Sequence, residues 1–432
     1  MTEKQATFFE RARRDRWMLA IGIVALTILG IAAAATLFRE TLLSDLAWNN
    51  QVELERGWRL LQAEVAPDGS IWVLAEHQEP YSAEIRQYED GEAIQTAKLA
   101  DEPILRALLE ENDGEIGFFS SMAIDNSGRV WLNPGSGQTV SWDGERWSST
   151  TGATAGEARV EELEFGAATV WVLLSGQSGL LAIDPGTGES REYLLEFDLP
   201  EGPVELRPDM ISATLEGGFL VAGTMSPGGL GLLGLDSNGN ASVLSFIPNP
   251  ESVGASRIQH LTGDARGKIH LIYALEEPCL DGLRRVKSGT RVASDYWVWR
   301  DLAYEADCSI SSGSDSFAVD ALGRTWIENS ASGVHVFAPP GPGLLNAPLQ
   351  PSMIYSEENS GFNGHGLSQG RTGQILAASI FGRELDAINA SQSELPAPLP
   401  EPLAWVIANS SLIFFFAIPL LVALVWRQNK AN

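Results

Sequence analysis

The sequence is poor in cysteine, histidine and basic residues, and each shortage excludes a class of protein. Its 432 residues include two cysteines and five histidines, which stand too far apart to form the ligand cluster of a structural zinc or iron–sulfur site. Only 29 lysines and arginines stand against 56 aspartates and glutamates, so the formal net charge is -27. Because such a field repels phosphate backbones, we expect no nucleic-acid partner.

Catalytic motifs are also missing. The sequence contains no HExxH metal motif and no P-loop. Hydrophobic residues make up 44% of the chain, close to the share in ordinary globular proteins, so a disordered chain is excluded as well. We therefore expect a large folded protein without a catalytic site and without a cofactor.

Two uncharged apolar runs, residues 17–38 and 403–426, predict the topology. At about 1.5 Å per residue, a helix of either length crosses a hydrocarbon core of about 30 Å. Basic residues in the tails 1–16 and 427–432 predict two cytoplasmic termini under the positive-inside rule. The chain is thus expected in the cell membrane, in contact with the lipid bilayer. Most of it lies outside, and a proline-rich stalk covers 396–402.

The first run has an alternative interpretation. Ala32 to Ala35 are small residues that follow an apolar stretch, which is the pattern that signal peptidase cuts. Cleavage there leaves the second run as the single anchor, whereas an uncut run serves as a signal anchor. Residues 41–402 are translocated in either case, and the propeller is expected to cover 41–395.

This extracytoplasmic segment repeats one strand pattern seven times. The clearest copy has a strand, a turn with Asp125 and Gly128, a second strand with Trp131, and a third strand. The second-strand positions recur every 40 to 59 residues, and they are Trp72, Trp131, Trp171, Leu220, His270, Trp326 and Leu376. The pattern predicts an all-β fold, a seven-bladed β-propeller with almost no helix, flanked by N- and C-terminal transmembrane helices.

Several of these stretches carry a family resemblance. VAPDGSIWVL, AIDNSGRVWL and AVDALGRTWI resemble the two-component regulator propeller repeat of extracytoplasmic sensors, and LAIDPGTGES resembles repeats of streptogramin-lyase-type propellers. The resemblance covers most of residues 59–391 and implies a β-propeller. Since the tails are too short for a kinase domain, a sensor of this kind has to signal through a partner.

The lyase resemblance implies histidine and glutamate around a divalent metal at the channel mouth. The candidates do not reproduce that motif, and they are His77, His260, His270, His335 and His365. His270 occupies a strand position that is tryptophan in other units, so we expect a hydrogen-bonded blade residue there. His365, in a glycine-rich segment, is either a channel residue or an ordinary loop histidine.

The fifth unit contains a basic and aromatic insertion bracketed by Cys279 and Cys308. Two cysteines in an exported domain are well placed to form a disulfide. The insertion predicts a partner-binding surface on an acidic body. The alternative is that the tryptophans simply form a strand and the arginines neutralise nearby acids. The candidate binding residues are Arg284, Arg285, Lys287, Arg291, Tyr296, Trp297 and Trp299.

The sequence therefore indicates a membrane-anchored recognition module that binds a protein partner or a small ligand on the propeller face. Two alternatives stay open. A scaffolding subunit of a membrane complex would need a flat exposed apolar patch. A lyase-like enzyme would need converging histidine and glutamate residues and a metal.

Overall fold

The structure is a computed structural model that describes residues 27, 30 and 49–395 with short gaps. The gaps are 79–80, 112–120, 134–138, 151–159, 175–176, 178, 200–201, 216, 227–228, 237–240, 248–255, 265–266, 276–282, 294–295, 308–315, 330–332, 340–348, 357–365, 371–373, 379–382 and 389–394. Thr27 and Gly30 are helical and exposed. The rest of both predicted membrane segments lies outside the described residues. Within those residues no helix is long and apolar enough to cross a membrane.

Residues 49–395 form seven antiparallel β-sheets, which are the blades of a seven-bladed β-propeller. The first strand of the propeller along the sequence is β1 (Asn49–Glu53), and it belongs to the last blade. Blades 1 to 3 then follow in sequence order. Their strands are β2 (Trp58–Val65), β3 (Ile71–Gln78), β4 (Tyr81–Glu89) and β5 (Glu92–Lys98); β6 (Met122–Ile124), β7 (Val130–Leu132), β8 (Thr139–Trp142) and β9 (Trp147–Thr150); and β10 (Val160–Gly166), β11 (Thr169–Leu174), β12 (Gly179–Ile183) and β13 (Ser190–Leu194).

Blade 4 is the exception, because it has five strands. They are β14 (Glu196–Leu199), β15 (Gly202–Ala213), β16 (Phe219–Ser226), β17 (Leu230–Leu235) and β18 (Ala241–Ile247). The extra strand, β14, pairs only with the beginning of β15, from Gly202 to Glu205. The added strand therefore extends one end of the blade and leaves the remaining ladder unchanged.

Blades 5 and 6 return to four strands, and blade 7 closes the ring with β1. Their strands are β19 (Ser256–Gly263), β20 (Ile269–Leu275), β21 (Leu283–Ala293) and β22 (Tyr296–Asp307); β23 (Ser316–Val319), β24 (Thr325–Asn329), β25 (Gly333–Phe337) and β26 (Met353–Tyr355); and β27 (Leu367–Gln369), β28 (Ile375–Ala378) and β29 (Glu384–Ile388). In blade 7, β1 pairs antiparallel with β29, and Asn49 lies opposite Ala387. The chain therefore enters and leaves the propeller side by side.

Two short helical elements lie between blades 1 and 2. They are a 3-10 helix, Leu99–Asp101, and the helix α1 (Pro103–Glu111). Leu105 and Leu109 of α1 are buried against the apolar cluster that joins these blades. The spacing of four residues puts both side chains on one face of the helix. The helix α1 is thus a short packed element within a fold that was expected to contain almost no helix.

The hydrophobic core lies between the blades. Each second strand is apolar on both faces, as in β11, whose residues from Val170 to Leu174 are all buried. One face contacts the preceding blade and the other contacts the next, so a cluster such as that of Trp171, Phe219 and Val221 belongs to two blades at once. Burial on both faces explains why β-branched and aromatic residues fill these strands.

A repeated turn joins the first and second strands in blades 2, 5 and 6. Asp125, Asp264 and Asp320 begin these turns and are at most 2% exposed. In blade 2, Asp125 Oδ1 accepts the backbone N–H groups of residues 127 and 129, and Oδ2 accepts Trp131 Nε1–H at 3.0 Å. The carboxylate thus links the turn to the aromatic residue six positions later. In blade 6 the same bond, from Trp326 Nε1 to Asp320 Oδ2, measures 2.9 Å.

Candidate functional site

His270 has the role in blade 5 that tryptophan has in blades 2 and 6. Its Nε2 lies 3.0 Å from Asp264 Oδ2, and its Nδ1 lies 3.0 Å from the hydroxyl of Thr290. The side chain is 1% exposed. Both ring nitrogens are therefore occupied within the blade, as the sequence predicted for a hydrogen-bonded blade residue.

The central channel brings together one equivalent residue from each blade. In every first strand, this residue lies directly opposite the second-strand position at which the repeats were aligned. The seven residues are Glu64, Ala123, Glu164, Ser212, Thr262, Ala318 and Ser368. We call them the channel ring. Five are small, and the two others are glutamates.

Six members of the channel ring, all except Ala318, line a cavity of about 170 Å³. The space stays open because five of the seven channel-ring residues are alanine, serine or threonine, whose side chains are small. Three further polar residues line the same cavity, and they are Thr214, His260 and Gln369. No lysine or arginine stands among the described lining residues.

Gln369 has a fixed orientation in this cavity. The Thr262 hydroxyl donates to Gln369 Oε1 at 3.0 Å, which joins the first strands of blades 5 and 7. The amide nitrogen, Gln369 Nε2, is buried and has no hydrogen-bond partner among the described residues. His260 Nε2 shares that condition. Buried polar groups normally have partners, so two such nitrogens at one cavity are an exception that calls for a ligand or water.

His260 is uncharged at neutral pH. Burial, with a smaller contribution from the nearby His270, lowers its pKa to about 4. The imidazole therefore adds no positive charge to the cavity. Chemically, it offers carboxylate acceptors, hydroxyl groups and an amide donor.

The predicted partner-binding residues lie on a long two-stranded hairpin, β21 and β22, at the outer side of blade 5. β20 pairs with β21 only from Val286 to Thr290, whereas β22 pairs with β21 from Leu283 to Ala293. The hairpin therefore projects beyond its own sheet at both ends. Arg284 lies in one projecting end and Arg291 in the other. Lys287 lies within the sheet, opposite Asp301.

The two tryptophans of that hairpin serve packing. Trp297 is 6% exposed and belongs to the apolar cluster between blades 4 and 5. Trp299 stacks on Trp297 with 5.5 Å between ring centroids. It also covers Gly289, where an added Cβ would lie 2.5 Å from the Trp299 ring. Packing inside the protein is a sufficient explanation for both tryptophans, so neither has to contact a binding partner. The basic residues of the hairpin are the part of the prediction that remains to be tested.

Some of the remaining predicted residues lie among the described residues, and others lie outside them. His77 packs edge-on against Trp58 at 5.2 Å. Burial lowers the pKa of His335. Cys279, Cys308 and His365 lie outside the described residues, and so does the predicted disulfide. The Tyr296 backbone begins β22.

Sequence reasoning missed the channel ring. One signal was available in the spacing. Glu64 lies eight residues before Trp72 in blade 1, and Glu164 lies seven residues before Trp171 in blade 3. Only the strand register shows that these positions meet in space.

No protein-family model and no curated protein sequence matches the chain. Solved structures do show similarity. A catalytically inactive virginiamycin B lyase from Staphylococcus aureus with quinupristin is 13% identical over 79% of this chain and 99% of its own, with a TM-score of 0.45. YCF48 bound to a D1 peptide is 9% identical over 79% of this chain and 96% of its own, with a TM-score of 0.45.

A further similar structure is the extracellular domain of a protein assigned as a hybrid two-component system from B. thetaiotaomicron. It is 14% identical, with a TM-score of 0.47, and the match covers 79% of this chain. This chain spans 39% of that longer protein. At these identities and TM-scores the similarities show nothing about function, and the β-propeller fold rests on the seven sheets of this chain itself.

Proposed function

We propose that the protein is a membrane-anchored, extracytoplasmic recognition module that binds a protein partner through the propeller. The two apolar runs, 17–38 and 403–426, support the anchoring. Because Asn49 lies opposite Ala387 in blade 7, both predicted anchors connect to the same blade of the ring. The disulfide between Cys279 and Cys308 remains part of this proposal.

The projecting hairpin of blade 5 carries the proposal. Among the described residues, β22 pairs with β21 beyond both ends of the segment that pairs with β20. The hairpin sequence includes Arg284, Arg285, Lys287 and Arg291, in a chain with nearly twice as many acidic as basic residues. Such local positive charge on an acidic body attracts an acidic partner surface.

Two observations bear on the alternative functions. The exposed large apolar residues among the described ones, Ile94, Leu194 and Ile354, stand on blades 1, 3 and 6, so they form no common patch for a scaffold. For a lyase, the described residues hold no group of three or more histidine, cysteine, aspartate or glutamate residues suited to a metal ion. The geometry therefore favours binding through the hairpin.

The test removes the charges of the hairpin. The triple variant Arg284→Ser, Arg285→Ser, Lys287→Ser should keep the melting temperature of the full-length protein, because the proposal assigns these charges to contact with a partner, and charges at a protein surface contribute little to its own stability. The amount of partner that co-purifies with it after gentle detergent extraction should fall at least about tenfold, with the largest loss at low salt.

A matched control removes three exposed charges elsewhere. Arg146→Ser, Arg191→Ser, Lys268→Ser lowers the net charge by the same amount on blades 2, 3 and 5. This variant should capture the partner as the unchanged protein does. Equal capture by both triple variants would show that the hairpin charges take no part in recognition.

A further inference from the structure

The added strand of blade 4 has an open edge. β14 pairs with β15 on one side, and among the described residues no strand pairs with its other side. Leu206 N–H donates to the carbonyl of Leu195 at 2.8 Å. Because hydrogen-bonded and non-hydrogen-bonded residue pairs alternate in an antiparallel ladder, the backbone N–H and C=O groups of Glu196 and Asp198 point away from β15. The sheet of blade 4 therefore leaves these groups for a further strand.

Two like charges lie side by side at this edge. Glu196 is directly opposite Glu205, and both side chains are exposed. The two residues form a non-hydrogen-bonded pair, in which the Cα atoms are only about 4.5 Å apart, so the carboxylates repel each other. Among the described residues no lysine or arginine forms an ion pair with either glutamate. A positive charge on another molecule would offset this repulsion.

The hairpin of β14 and β15 is held in place by its other face. Leu195, Val204 and Leu206 are buried in the apolar cluster between blades 3 and 4. Pro203 lies opposite Asp198, at a position whose N–H would not bond to β14, so the proline costs the ladder nothing. The glutamates are therefore presented from a fixed support, which reduces the entropy lost when a ligand binds.

The hairpin stands at the end of the ring where the first strands of the blades begin. The residues from Gly202 to Val204 extend β15 beyond the part that pairs with β16. In blade 7, β29 runs parallel to the first strand β27, and β1 runs antiparallel to it. The chain therefore enters the propeller at Asn49 and leaves it at Ile388 at the opposite end of the ring, away from the hairpin.

The sign of the charge separates recognition from simple protection of the edge. Charged residues of either sign keep an edge strand from pairing with other chains, as Arg191 and Glu192 can do on the outer strand β13. Residues 195–206, by contrast, contain four acidic residues and no basic one. A single sign at an open edge favours a strand of the opposite charge.

We propose that the open edge of β14 binds an extended, basic segment of a protein partner, which adds an antiparallel strand to blade 4. Every second side chain of such a strand lies on the face of Glu196 and Glu205, so lysine or arginine at alternate positions fits this edge. The contact goes beyond the binding proposed for the blade 5 hairpin. Either proposal can fail without the other, because the two contacts use different strands and attract opposite charges.

Three labelled peptides test the added strand on the full-length protein in detergent. The first alternates lysine with valine, the second adds N-methyl groups to its lysine residues, and the third adds them to its valine residues. In an antiparallel strand the lysine N–H groups face β14 and the valine N–H groups face away. Fluorescence anisotropy at about 0.15 M salt should give a Kd below about 1 mM for the first and third peptides, and binding at least about tenfold weaker for the second.

Two outcomes of the peptide experiment would overturn the proposal. Equal binding of all three peptides would show that charge alone attracts them and that no strand is added. Without saturable binding of the first peptide up to about 5 mM, the glutamates only protect the edge. The triple serine variant of the blade 5 hairpin should bind the first peptide as the unchanged protein does, which keeps this result separate from the proposed function.

Variants then locate the binding. Glu196→Gln with Glu205→Gln keeps the size of both side chains and should weaken binding of the first peptide at least about tenfold. The control Glu92→Gln with Glu192→Gln removes two exposed carboxylates from the outer strands of blades 1 and 3, and it should leave binding unchanged. Since the first pair of substitutions removes a repulsion, the melting temperature should not fall. Unchanged peptide binding in that folded variant contradicts the site.

Discussion

Blade 1 and blade 2 have nearly the same first turn, but only blade 2 has the buried aspartate. In blade 2, Asp125 N–H donates to the carbonyl of Arg129 at 3.0 Å, and in blade 1 the N–H of Ala66 makes the corresponding bond to Ser70 at 2.8 Å. Trp131 Nε1 has the Asp125 carboxylate as its acceptor, whereas Trp72 Nε1 has no partner among the described residues.

The comparison separates two roles that the sequence motif combines. Backbone hydrogen bonds and a glycine with positive φ are enough to make the turn, because blade 1 forms it with alanine at the first position. The buried carboxylate serves the aromatic residue of the second strand instead. Blade 1 also has an aspartate, Asp68, but it lies two positions later, is exposed, and bonds locally to Ser70.

The largest effect is expected from removing the buried carboxylate. Asp125→Ala should lower the free energy of unfolding by about 2 to 4 kcal/mol, because it leaves the Trp131 ring N–H and two backbone N–H groups without their acceptor. Asp68→Ala, the control in blade 1, should lower it by less than about 1 kcal/mol, since its partners can reach water. Urea unfolding followed by tryptophan fluorescence measures both. Equal losses would mean that the burial of the carboxylate is irrelevant.

An intermediate effect is expected from the turn glycines of blades 2 and 6. Gly128 and Gly323 have φ of +82° and +81°, so alanine costs about 1 to 2 kcal/mol at either position. At Gly323 the new Cβ would also lie 2.6 Å from His270 Cε1 in blade 5, whereas nothing lies within 4 Å at Gly128.

Gly323→Ala should therefore destabilise the protein by about 1 kcal/mol more than Gly128→Ala. The extra loss should shrink in a His270→Ala background, which removes the contacting ring. Thermal or urea unfolding of the unchanged protein, Gly323→Ala, His270→Ala and the double variant forms a double-mutant cycle. If the losses of stability in the two single variants simply add in the double variant, the added Cβ at residue 323 does not clash with the His270 ring.

The smallest effect is expected from adding the missing aspartate to blade 1. Ala66→Asp places a carboxylate where blades 2, 5 and 6 have one, within reach of Trp72 Nε1. The gain should be about 1 kcal/mol, because the new charge-assisted hydrogen bond exceeds the cost of burying the carboxylate by only a small margin. A loss of stability would show that blade 1 lacks the surroundings that the other three blades provide for the charge.

The repeating units were predictable because each repeats its own local chemistry. All seven predicted second-strand positions, from Trp72 to Leu376, lie on the second strand of a blade when the added strand β14 is left out of the count in blade 4. Turn residues and β-branched or aromatic strands act within about 20 residues, so they can be read directly. By contrast, β1 has no such pattern, since its identity as a strand depends on pairing with β29 at the other end of the chain.

The channel site could not be read in the same way. β-Bulges between Leu60 and Gln62, and between Ile258 and His260, shift which side chains share a face. Counting residues back from Trp72 or His270 therefore gives the wrong face for part of the strand. His260 was visible as one of five histidines, but its burial beside Gln369 depends on two blades that are far apart in sequence.

Ring closure by β1 sets the order of events during synthesis. β1 is the first strand of the propeller to leave the ribosome, and its partner β29 follows about 340 residues later. At 5 to 20 residues per second, the first strand waits about 20 to 70 s for its partner. Throughout that interval the propeller has an open sheet edge, the kind of surface on which chains pair with one another. Aggregation during synthesis is thus a risk that ends only when the last blade closes on the first strand made.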